Sequence, residues 1–170
     1  AVGVFYLGVA ADFWSPSPIF HGVAALGAAA FLYCQSRILH SGKGIPTWRV
    51  AQMPMMLVAT GLLEGIALLT LIFSQWGDQL PSFAPIPPLA ILLILFNVYL
   101  WRRYVSNAKE WGIGPIDRRI LGVITPKLHV IAHIVPLVLF GTLLFNSDAP
   151  VWVADIGGFL VIAGGVLWKA

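Results

Sequence analysis

A few polar side chains lie inside long apolar runs of this sequence, and these are the residues best placed for chemistry. The run between Arg49 and Trp76 holds 26 residues, and its only formal charge is Glu64. At about 1.5 Å of rise per helical residue, Glu64 would lie roughly 18 Å from the Trp76 end. A carboxyl group that deep in a bilayer is costly unless it faces protein or water, so we interpret Glu64 as a functional, proton-exchanging residue.

Two further polar residues fall at a similar depth on other apolar runs. His133 would lie roughly 18 Å from Phe145, and Asn97 roughly 15 Å from Pro87. If these side chains face Glu64, the three form a polar layer and a proton path. The alternative is that each bonds to a nearby backbone carbonyl and only helps the helices to pack, and we favour this alternative for Asn97.

A second candidate site is predicted nearer one end of the runs. His21 would lie about 5 Å and Asp155 about 6 Å inside the end that carries no basic residues. A quinone head group needs hydrogen-bonding partners for its ring oxygens and a route for protons, and an imidazole with a carboxylate supplies both. We therefore predict that His21 and Asp155 hold a quinone head group. A helix-start role for His21 is the alternative.

The remaining histidines raise the question of haem or metal. His129 and His133 share a helix face at i, i+4 spacing. Haem with two histidine ligands needs them on separate helices at one depth, and neither His21 nor His40 lies at the right depth to serve. The single cysteine, Cys34, allows no internal disulfide and no cysteine-ligated cluster. We expect neither haem nor a bound metal ion.

The elements that position these residues are predicted to be membrane-spanning helices. Hydrophobic residues make up 59% of the 170-residue chain and charged residues 10%, whereas soluble domains carry about 25% charged residues. A chain so poor in charge could not cover a water-exposed surface, so its solvent must be lipid. The net charge of +3 does not indicate nucleic-acid binding, because the basic residues fall at the ends of the apolar runs.

The predicted fold is an all-α, polytopic transmembrane helical bundle, and residues 1–170 form a single integral membrane domain. It has five spans plus a truncated first one over residues 1–11, and we expect it to be a fragment of a larger bundle, cut at both ends. Pro126 and Pro136 are expected to kink the fourth of the five. The five spans are predicted at about 18–39, 50–76, 87–104, 120–145 and 151–169.

The loops alternate in charge. Most of the ten Lys and Arg residues lie in or beside the loops 40–49 and 102–119, which mark the basic end of the bundle. The loops 11–17, 77–86 and 146–150, at the outer end, hold none. By the positive-inside rule the basic loops are cytoplasmic, and the seven tryptophans fall at span ends in an aromatic-belt pattern. We predict a multi-pass protein of the inner (cytoplasmic) membrane.

Four short segments resemble a known family. They are similar, in this order, to membrane-anchor subunits of the dimethyl sulfoxide reductase type, which belong to the NrfD/PsrC-like superfamily. Within that superfamily the resemblance is to the phenylacetyl-CoA:acceptor oxidoreductase branch. The segments are FLYCQSRIL (31–39), GIPTWR (44–49), TGLLEG (60–65) and GGVLWK (164–169).

The resemblance implies a larger helical bundle that binds quinone or quinol and carries no haem. It also implies an iron–sulfur partner subunit with ferredoxin-like clusters and a molybdopterin catalytic subunit. Of the matched positions, Glu64 is the implied quinol or proton-path residue. The predicted function is a membrane anchor that exchanges electrons and protons between the quinone pool and the iron–sulfur partner. The alternatives are a small-solute or ion transporter, although no internal repeat is visible, and a purely structural anchor.

Overall fold

The computed structural model describes residues 18–42, 46–76, 84–146 and 148–169. Within these ranges the chain is helical and contains no β-strand, which confirms the predicted all-α bundle. The predicted truncated span over residues 1–11 lies outside the described residues. The helices are α1 (Pro18–Ser41), α2 (Met53–Trp76), α3 (Ile86–Ser106), α4 (Pro115–Leu128), α5 (Val135–Phe145) and α6 (Val151–Lys169).

Two shorter elements complete the fold. A 3₁₀ turn, Pro46–Arg49, precedes α2, and a π-helical segment, His129–Ile134, joins α4 to α5 without a break. When α4, the π segment and α5 are counted as one, the described residues hold five helical stretches long and apolar enough to cross a membrane. The predicted spans are therefore confirmed.

Prolines and one glycine set the boundaries of the fourth stretch. Proline suits the first turn of a helix because its missing N–H would be unpaired there, and α4 begins with Pro115. The turn before it contains Gly112 at φ +73°, a backbone conformation that glycine adopts without strain. The loop predicted at 102–119 is shorter than expected, because α3 continues to Ser106.

α2, the helix that carries Glu64, lies at the centre of the bundle. It packs against α1, α3 and α6, while α6 also packs against α5 and the π segment. α1 lies on the outside of α2, and its large apolar side chains, such as Leu26 and Phe31, are mostly exposed. An apolar outer surface is what a lipid solvent requires.

Small residues let α6 lie close to its neighbours. A Cβ atom on Gly158 would come within 3.0 Å of the Ala67 carbonyl oxygen of α2. A Cβ atom on Gly164 would overlap the side chain of Ala132 in the π segment. Close packing of this kind, rather than exclusion of water, holds helices together in a membrane. The glycine-rich face of α6 therefore sets the spacing of the helices around Glu64.

Candidate functional site

Glu64, near the middle of α2, forms an ion pair with Lys169 at the end of α6. The Lys169 ammonium donates to both carboxylate oxygens, at 2.6 Å to Oε1 and 2.8 Å to Oε2. The Glu64 side chain is 22% exposed and that of Lys169 is 37% exposed. Pairing lowers the cost of holding either charge at membrane depth. Sequence analysis placed Lys169 only at a span end and did not identify it as the partner of Glu64.

The shape of α6 explains how this pair forms. Gly165 and Lys169 lie one turn apart on the same helix face. A Cβ atom on Gly165 would overlap the Glu64 carboxyl group, so the missing side chain makes the space in which the carboxyl lies. Helical side chains lean toward the N-terminus of their helix, which brings the Lys169 amine back over the turn of Gly165.

Glu64, Asn97 and His133 line one cavity inside the bundle. Thr60 lines it as well, and we call this space the polar cavity. Its volume is about 30 Å³. That is room for one or two water molecules, because a water needs about 10–15 Å³ of such space. The polar cavity can therefore hold water next to Glu64 but not a quinone ring.

Asn97 uses its amide group to hold α3 against α2. Its Oδ1 accepts a hydrogen bond from Thr60 Oγ1 at 2.9 Å. Its Nδ2 donates to the carbonyl oxygens of Leu93, at 2.9 Å, and Ala59, at 3.3 Å. These contacts fit the packing alternative that the sequence favoured for this residue. A proton-path role for Asn97 stays a prediction.

His133 is buried, and its polar contacts include the Leu128 backbone and a second imidazole, that of His129. The Nδ1 atoms of His129 and His133 are 3.3 Å apart, and the two rings meet edge to face at 5.2 Å between centroids. Both lie in the π segment, where the Val135 N–H donates to Val130, five residues back. Pro136 has no N–H for the Ala132 carbonyl, which accounts for a wider turn at this point.

Two tryptophans line the polar cavity on the side of the basic end. Trp101 is buried, donates from Nε1 to Thr125 Oγ1 at 3.2 Å, and meets the ring of Trp168 at 6.2 Å. The aromatic-belt interpretation is therefore wrong for Trp101, which faces protein. The indole Nε1 of Trp168 is buried without a hydrogen-bond acceptor among the described residues. Water in the polar cavity would satisfy such a donor.

Two larger spaces flank the ion pair on the side of α1. One, of about 140 Å³, lies between α1 and α2 and is called the α1–α2 cavity. The other, the Trp48 cavity, has a volume of about 190 Å³ and adjoins it, with Leu39, Leu57 and Lys169 in both linings. Glu64 thus separates the polar cavity from the α1–α2 cavity. The α1–α2 cavity is lined by Leu32, Gln35, Ser36, Leu39, Leu57, Gly61, Glu64 and Lys169.

The predicted site at the outer end is only partly described. Asp155 Oδ1 accepts hydrogen bonds from Ser74 Oγ at 2.5 Å and Gln75 Nε2 at 3.5 Å, which link α6 to α2. His21 belongs to α1, but its side chain lies outside the described part of the structure. The pairing of His21 with Asp155 around a quinone head group therefore stays a prediction.

Across the ranges that the structure describes, no group of three or more His, Cys, Asp or Glu side chains is placed to hold a metal ion. No family model, curated protein or solved structure matches the chain. The fold and the site define a class only, a multi-pass helical membrane protein with a charged pair beside a polar cavity. The resemblance to the NrfD/PsrC-like anchors stays a prediction.

Proposed function

We propose that the chain is the quinone-reactive membrane anchor of a molybdopterin and iron–sulfur oxidoreductase complex. It would exchange electrons and protons between the quinone pool and the iron–sulfur subunit. The observation that carries the proposal is the position of the Glu64–Lys169 pair. This pair lies at membrane depth between a water-sized polar cavity and a larger, mostly apolar cavity.

The α1–α2 cavity has the composition expected of a quinone site. Ligand sites are mostly apolar, with a few polar groups that fix orientation. Here leucine side chains supply the apolar walls, and Gln35, Ser36 and the ion pair supply the polar groups. Among the described helices, α1 alone separates this cavity from the outer surface of the bundle, and quinone dissolves in the surrounding lipid. A lipid-soluble ring therefore has a short route to the carboxylate.

The ion pair supplies the groups that quinol chemistry needs. Oxidation of a quinol removes two electrons and two protons and leaves the quinone. In the proposed site the Lys169 ammonium turns to a ring oxygen and donates a hydrogen bond to it. The released carboxylate of Glu64 accepts the first hydroxyl proton, passes it to the polar cavity and then accepts the second. Both electrons leave to the iron–sulfur partner, and quinone reduction follows the reverse order.

The partners and the membrane belong to the same proposal. The four family-like segments support an iron–sulfur subunit with ferredoxin-like clusters and a molybdopterin catalytic subunit. The distribution of Lys and Arg supports the inner membrane with cytoplasmic basic loops. His21 and Asp155 are kept as proposed contacts nearer the outer end.

Glu64→Gln in the full complex tests the function. We expect quinol-linked turnover in native membranes to fall by about 100-fold, as for the loss of a general acid–base group. Assembly of the subunits should be unchanged, because Gln keeps the size of the side chain. Glu110→Gln is the matched control, since Glu110 is an exposed carboxyl in the turn before α4. Unchanged turnover in Glu64→Gln would remove this residue from the mechanism, and a wild-type complex without quinol turnover would refute the function.

A further inference from the structure

We propose that His129 and His133 form a two-imidazole relay that carries protons between the α4 side of the bundle and the polar cavity beside Glu64. The physiological role of this relay rests on the proposed function, but the relay itself is a property of the two rings. His129 is a residue to which sequence analysis assigned no role in proton transfer.

The imidazole rings of His129 and His133 are in direct contact. Two Nδ1 atoms at 3.3 Å form a hydrogen bond only if one carries a proton and the other does not. For two neutral rings this hydrogen bond requires opposite tautomers, and each ring keeps its Nε2 atom on the side away from the shared bond. This arrangement has one proton between two bases, with a further proton-exchanging nitrogen at each end.

The two histidines differ in burial and in their distance from the polar cavity. His133 is buried and lines the polar cavity together with Glu64. His129 is half-buried and lies one turn nearer the basic end of the same stretch. The pair therefore runs from a half-buried position nearer the basic end to a buried one beside the polar cavity. The indole N–H of Trp168, buried without an acceptor among the described side chains, supports water in the polar cavity as the next carrier.

Proton transfer along the two rings needs no reagent other than a proton. A proton binds to Nε2 of His129, and the Nδ1 proton of His129 crosses to Nδ1 of His133. His133 then releases its own Nε2 proton into the polar cavity. One proton has entered and one has left, and both rings are neutral again with the hydrogen bond between them reversed. Return of the two tautomers to the starting state completes the cycle.

Nitrogen NMR of the full-length chain in lipid tests the hydrogen bond directly. With ¹⁵N-labelled histidine, we expect a scalar coupling between the two Nδ1 atoms and one Nδ1–H and one Nε2–H tautomer. His129→Asn should abolish the coupling, whereas His40→Asn should not, because His40 Nδ1 bonds to the Trp48 carbonyl instead. Absence of the coupling in the unmutated chain would overturn the relay.

Chemical rescue in the full complex tests the transfer of protons. His129→Ala should lower quinol-linked turnover by about 10-fold to 100-fold, and added imidazole should restore part of the rate. Substituted imidazoles should rescue according to their pKa, which a purely structural role would not produce. His40→Ala should keep its rate and show no response to imidazole. Unchanged turnover in His129→Ala, or a loss that no imidazole restores, would overturn the relay.

The two proposals fail in different ways. If Glu64→Gln loses turnover but His129→Ala does not, the quinone function stands and the relay is wrong. If the wild-type complex does not turn over quinol, the function is wrong and the coupling between the two Nδ1 atoms still decides the relay.

Discussion

A charged side chain in a membrane needs a partner, and at the residue scale the bundle provides one for Glu64. Both carboxylate oxygens accept hydrogen bonds from the single ammonium of Lys169. Removal of either partner alone leaves the other charge unpaired in a medium of low dielectric constant.

Lys169→Met tests the contribution of the pair to stability. We expect the free energy of unfolding, measured by thermal denaturation in detergent, to fall by about 1–3 kcal/mol because the Glu64 carboxylate loses its partner. The double variant with Glu64→Gln should lose less than the sum of the two single variants, with a coupling of about 1 kcal/mol. Strictly additive effects would show that the ion pair does not stabilise the fold.

At the scale of elements, α6 decides the geometry of the site more than α2 does. Its glycines bring it against α2 and the π segment, and Gly165 makes the space that the Glu64 carboxyl occupies. The π segment contributes in a different way, because its wider turn accompanies the contact between His129 and His133. The α6 glycines and the π segment lie on the last two spans, whereas Glu64 lies on α2.

Gly164→Ala tests the close approach of α6. The added Cβ atom would overlap Ala132, so the helices must separate, and we expect a loss of about 1–3 kcal/mol in the free energy of unfolding. Gly141→Ala in α5 is the matched control, because a Cβ atom there meets no atom within 4 Å. The control should be neutral or should stabilise by up to about 1 kcal/mol, since alanine favours helix. Equal effects of the two substitutions would show that α6 does not depend on close packing at Gly164.

At the scale of the whole molecule, the bundle is a core of α2, α3, α5 and α6 with α1 on one side. Its outer surface carries many large apolar side chains, as lipid requires, and Glu64, near the middle of α2, is paired with Lys169 at the end of α6. The orientation of this bundle in the membrane follows from the charge of the loops and is a prediction.

Cysteine labelling tests the orientation. In a Cys34→Ser background, Glu110→Cys places a single thiol in the basic turn, and Asp148→Cys places one in the loop before α6. A membrane-impermeant maleimide should label the position-110 thiol only in inside-out vesicles and the position-148 thiol only in right-side-out vesicles. The opposite pattern would place the basic loops outside the cell.

The sequence by itself determined the helical stretches and predicted from them the depth of each polar residue. Apolar runs of about 20 residues fix where a chain enters and leaves a bilayer, and prolines, glycines and charges mark the ends. Depth along a helix then follows from its constant rise, which is why Glu64, Asn97 and His133 could be assigned to one level. They do line one cavity.

Only the tertiary structure decided which side chains meet. The depth of a residue is set by the membrane that surrounds its helix, whereas the rotation of the helix about its axis is set by packing against neighbouring helices. Because lipid and the bundle core are equally apolar, the hydropathy of a sequence carries little information about that rotation. The partner of Glu64 is therefore Lys169, which the sequence placed at a span end. The amine reaches the carboxyl because Gly165 leaves room and the lysine side chain leans back along α6.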